Sequence, residues 1–139
     1  LIRQSGDMGA EWGVRRIESI VILLIGAQMI LLIRSHTYLP TTDQRGEANI
    51  ETWSGGTLIY AHNYLDGNMF YDLTEATIIH NGQAAKYEVV ETYIVTDPAQ
   101  WVQALEQLSS PETITLATCY PPNGTGQVFL KELQIIEEP

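Results

Sequence analysis

Cysteine is almost absent from this 139-residue chain: Cys119 is the only one, so no internal disulfide can staple the fold. Basic residues are scarce too. Seven Lys and Arg stand against 17 Asp and Glu, a formal net charge of -10, which argues against a nucleic-acid partner and repels anionic lipid headgroups. The three histidines lie far apart without metal-ligand spacing, and Cys119 is the only thiol that could join them. No glycine-rich phosphate loop follows a strand-like run. Composition therefore gives no reason to expect a metal or an organic cofactor. With 45% hydrophobic residues, the chain has enough apolar material for one domain-sized core and not for two.

The stretch around the single thiol is the most informative. Thr113-Ile114-Thr115-Leu116-Ala117-Thr118-Cys119-Tyr120 is rich in β-branched residues and alternates with a period of two, so it is expected to be a strand. Thr113, Thr115, Ala117 and Cys119 share one face, so small side chains lead up to the thiol. Pro121-Pro122-Asn123-Gly124 then ends the ladder, which puts Cys119 at a strand end where a loop can frame it.

A second strand-like run, Thr57 to Tyr64, contains His62 ahead of the Asp66-Gly67 turn. A cysteine and a histidine brought together by a fold are a candidate nucleophile and proton-transfer pair. A lone cysteine is most often a small buried hydrophobe.

Thr115-Leu116-Ala117-Thr118-Cys119 resembles the TLxTC signature of the sortases, membrane-anchored cysteine transpeptidases of bacterial cell surfaces. Thr57 to Asn63 resembles their strand ending in a GH or AH-N element, and Ala61 to Leu73 is similar to their pattern of histidine, polar turn and "F..L". The similarity covers about residues 56–134. It implies a mainly β fold, a sortase-like barrel with one short helix, and a site with Cys119 as nucleophile and His62 as acid and base. Sortases also carry an arginine on the strand after the cysteine. Here the equivalent is expected at Gln127, an uncharged donor to the oxyanion, with Lys131 four residues further along. Little room exists before residue 56 for the early strands, so the barrel is expected to be incomplete or rebuilt.

Ile20 to Ile33 is apolar but for Gln28, and Arg15-Arg16 and Arg34 bracket it. Extended to residues 17–39 it reaches the about 20 residues of a membrane-spanning helix. The alternative is a pair of buried strands turning at Gly26-Ala27. The helix gives a division into a cytoplasmic segment 1–16, a span 17–39, a connector 40–55 with a possible strand from Ala48 to Trp53, and an extracytoplasmic domain 56–139. Arg3, Arg15 and Arg16 before the run set that orientation. Leu39-Pro40-Thr41-Thr42-Asp43 resembles an LPxT sorting signal, but it stands on the wrong side of an apolar run to serve as one.

After the histidine, Thr77 to His80 and Lys86 to Val95 form a hairpin pattern around Asn81-Gly82. Asp97 is placed to cap a helix that opens with Pro98 and carries Trp101, Leu105 and Leu108 on one face. Gln127 to Ile136 makes a last strand. The expected function is acyl transfer on peptides carrying a sorting signal, through a thioester on Cys119. The alternative is a catalytically degenerate sortase-like subunit whose partner is another membrane protein.

Overall fold

The computed structural model describes residues 20–34, 41–53, 56–108 and 112–138. Eight strands close into a barrel: β1 (Val21–Ile25), β2 (Gln28–Arg34), β3 (Glu47–Trp53), β4 (Gly56–Tyr60), β5 (Glu75–His80), β6 (Gln83–Val95), β7 (Thr113–Tyr120) and β8 (Gln127–Glu137). Their order around the barrel is β1-β2-β3-β4-β7-β8-β6-β5. The pairs β2·β3 and β4·β7 are parallel and the others antiparallel. A 3-10 turn, Asp66–Phe70, follows β4, and helix α1 (Trp101–Leu108) lies between β6 and β7.

The expected membrane helix is not formed. Val21 to Arg34 make the antiparallel hairpin β1-β2, with Ile25 opposite Gln28 and Gly26 at φ +59. Glycine at the first central position suits a two-residue hairpin turn, and the β-branched Val21, Ile22, Ile25, Ile30 and Ile33 favour strands. Leu23, Ile30 and Leu32 are buried in the barrel, whereas Met29 is 64% exposed. Among the described residues no helix is long and apolar enough to cross a membrane. The ends of the expected span, residues 17–19 and 35–39, lie outside the described residues, as does segment 1–16.

The expected boundaries move accordingly. Three strands precede the histidine strand, so the barrel is closed and begins by Val21, and the supposed connector contributes β3. In the LPxT-like stretch, the Thr42 amide donates to Asn49 Oδ1 at 2.7 Å and so belongs to the approach to β3.

Other expectations hold. The β5-β6 hairpin turns at Asn81 (φ 53) and Gly82 (φ 79), the left-handed pair that such turns require. Asp97 Oδ1 accepts from the Ala99 amide at 3.0 Å and starts the helical segment. Two apolar layers result. Leu23, Ile59, Phe70, Leu116, Phe129 and Leu133 fill the barrel, and Leu58, Ala117 and Leu130 pack beneath Leu105 of α1 on its outer wall.

Candidate active site

Alternation along β7 divides the strand between these layers: Ile114 and Leu116 point inward, and Ala117 points outward toward α1. Cys119, two residues beyond Ala117, continues the outer face and is half-buried. Parallel pairing of β4 with β7 sets Tyr60 beside Ala117. The chain keeps this alignment beyond the end of β4, since the Ala61 amide donates to the Ala117 carbonyl at 3.3 Å and Thr118 Oγ1 donates to the Ala61 carbonyl at 2.7 Å. His62 follows Ala61 directly, so the chain leaves β4 close to the end of β7 that carries Cys119.

His62 is fixed on several sides. Its carbonyl accepts from the amides of Leu65 at 3.1 Å and Gly67 at 3.0 Å, and its ring stacks on Tyr64 at 4.8 Å between centroids. The turn presses so closely that a Cβ on Gly67 would collide with Thr118 Oγ1 and lie 2.7 Å from the His62 carbonyl oxygen. Asn63 is buried and its Nδ2 donates to the carbonyls of Pro121 (3.1 Å) and Gly124 (2.8 Å), which holds the loop after Cys119 against the end of β4.

Gln127 stands elsewhere than expected. Register places it opposite Tyr120, and Val128 is the residue opposite Cys119. A shift of one residue along a strand changes the face, so Gln127 belongs with Tyr120 and Phe129 and is not beside the thiol. Lys131 is likewise committed. It is 5% exposed, pairs with Leu116 on the inward face, and donates from Nζ to the carbonyls of Tyr71 (2.7 Å) and Leu73 (2.6 Å). Burial pushes its pKa down, and nearby Asp72 partly offsets this. Arg45, on the approach to β3, donates to the Tyr64 carbonyl at 3.3 Å.

Sequence reasoning missed Tyr71. Its hydroxyl donates to the main-chain oxygen of Cys119, and its ring meets Phe129 edge-on at 5.0 Å. Burial raises its pKa, so it is a neutral donor at physiological pH. The two partners are 48 positions apart, and no local pattern signals the contact. Among the described residues no His/Cys/Asp/Glu group is suited to hold a metal ion.

The closed eight-stranded barrel, with Cys119 near the end of β7 and His62 just past the end of the neighbouring parallel strand β4, agrees with the family model of the sortase domain, which matches residues 41–130. The chain belongs to the sortase family. Solved sortases share the fold. Sortase C1 of Streptococcus agalactiae superposes with a TM-score of 0.67 at 22% identity, covering 88% of this chain and 69% of that one. A lid mutant of sortase A from Corynebacterium diphtheriae gives 0.65 at 18%, covering 89% and 74%. Sortase A of Listeria monocytogenes gives 0.61 at 15%, covering 88% and 91%. No curated protein matches the sequence.

Proposed function

We propose that this sortase domain is a cysteine transpeptidase acting on peptides that carry a sorting signal. The observation that supports this is the parallel pairing of β4 with β7, strands that lead to His62 and Cys119 respectively, each half-buried. In the first step the Cys119 thiolate attacks a peptide carbonyl, the C–N bond breaks, and His62 gives its proton to the leaving amine. In the second, an incoming amine attacks the thioester, His62 takes the amine's proton, the C–S bond breaks and the thiolate returns. No cofactor is needed. The same proposal puts the domain outside the cytoplasm, although Val21 to Arg34 form β1 and β2 and so supply no membrane anchor.

One observation favours the second reading, a sortase-like subunit without turnover. The residue opposite Cys119 is the uncharged Val128, Gln127 faces the other way, and Lys131 is held by two carbonyls. An oxyanion without a good donor typically reacts about 10²- to 10³-fold more slowly. The experiment is transfer of a labelled sorting-signal peptide to an amine, with mass-spectrometric detection of the thioester. The transpeptidase reading requires an adduct on Cys119 and its loss in Cys119→Ala. Absence of adduct from the native chain would leave the subunit reading.

A further inference from the structure

The carbonyl of Cys119 occupies an unusual place in the sheet. Successive carbonyls of β7 alternate between its neighbours, and that of Ala117 faces β4, where it accepts from the Ala61 amide. The next carbonyl on that side belongs to Cys119. No β4 amide meets it there, because the chain turns away through the bonds that the Leu65 and Gly67 amides make to the His62 carbonyl. The Tyr71 hydroxyl fills the place of the missing strand and donates to the Cys119 oxygen.

Tyr71 is itself braced from both ends. Lys131 Nζ holds its carbonyl at 2.7 Å. Its ring is fixed edge-on by Phe129 at 5.0 Å and by Tyr120 at 6.1 Å. A buried ammonium is costly unless fully hydrogen-bonded, and here its two carbonyl partners lie in the segment that carries Tyr71. A continuous strut therefore runs from β8 through Lys131 and Tyr71 to the residue bearing the thiol. Packing alone would be satisfied by phenylalanine; the hydroxyl is what reaches Cys119.

We infer that Tyr71 is a positioning residue of this site, fixing through the Cys119 carbonyl where the thiol stands relative to His62. The role in catalysis rests on the acyl-transfer proposal, while the positioning can be measured without turnover. Neighbouring strands lie about 4.8 Å apart, within the roughly 4.4 to 6.8 Å between Cα atoms that a disulfide spans. In a His62→Cys background, the effective concentration of disulfide formation between positions 62 and 119, measured against glutathione, reports their relative placement.

Adding Tyr71→Phe is expected to lower that effective concentration about tenfold or more, well below the melting temperature. In the otherwise native chain the same substitution is expected to lower kcat for transfer with KM little changed. If Tyr71→Phe does not fold, Lys131→Met, which removes the Nζ bond to the Tyr71 carbonyl while keeping nearly the same volume, is expected to have the same effect on the disulfide. An unchanged effective concentration with a lowered melting temperature would make Tyr71 merely structural and overturn the inference, as would failure of positions 62 and 119 to cross-link. A disulfide effect in a chain that transfers nothing would uphold the positioning and remove the transpeptidase reading instead.

Discussion

The rings of His62 and Tyr64 stack with planes 15° apart and centroids separated by 4.8 Å. Tyr64 is 62% exposed, so the contact contributes little burial to the fold, yet it restricts the plane in which the imidazole can turn. The same turn connects to the approach to β3, through Arg45 on the Tyr64 carbonyl and the Gly46 amide on Asp66 Oδ2. The ring of the histidine is thus held by a neighbour two residues away, and the turn that follows it by the loop before β3.

Removal of that ring is expected to cost activity and not stability. Aromatic pairs contribute about 0.5–1.5 kcal/mol beyond their area, so Tyr64→Ala should reduce kcat for peptide transfer by roughly 2- to 10-fold. Its melting temperature should stay close to that of the native chain. Steady-state kinetics and a thermal melt of the same preparation check both halves; a collapse of the melting temperature would assign Tyr64 to the fold.

Part of the architecture was legible in the sequence and part was not, for physical reasons. The strands that lead to His62 and Cys119 were legible because each is locally patterned, and Asn81-Gly82 and Asp97-Pro98 because turn and cap chemistry are written in adjacent residues. Ile20 to Ile33 misled because a hairpin apolar on both faces loses the alternation that marks a strand, and the arginines around it imitated a membrane border. Only the glycine in Gly26-Ala27 carried the turn. Which β8 residue stands opposite the thiol was not legible, since Gln127 and Val128 differ in face only once the β7-β8 register is known. Tyr71, just after the 3-10 turn, meets Lys131 of β8 in a tertiary contact that local spacing does not encode.

Glu132 offers a pH-dependent test of the barrel wall. It lies directly across from Glu91 in the β6-β8 pair, and burial, reinforced by Glu91, pushes its carboxyl above the ordinary value of 4.5. The folded chain therefore binds this proton more readily than the unfolded chain, and stability falls as pH rises through the interval above 4.5. Glu132→Gln removes the like-charge pair and is expected to raise the urea midpoint at pH 7, with the advantage over the native chain shrinking as pH is lowered toward 4.5. An advantage that stays constant with pH would mean that packing, and not charge, separates the two proteins.

The sharpest division between an active and a degenerate site lies at Val128. It is half-buried, stands opposite Cys119, and packs at the margin of the layer beneath α1. An arginine there can lay its aliphatic stem over Ala117 and Leu130 while its guanidinium reaches past the strand end toward water. The charge would then arrive on the face of the thiol, where an oxyanion develops during attack on a carbonyl. If catalysis lacks only this donor, Val128→Arg is expected to raise kcat about 10²-fold, whereas Gln127→Arg, on the other face, should raise it little. A gain from Val128→Arg alone would show a site whose nucleophile and base are already in working position. If neither substitution increases thioester formation, more than the missing charge separates this barrel from an active transpeptidase, and the subunit reading becomes the stronger one.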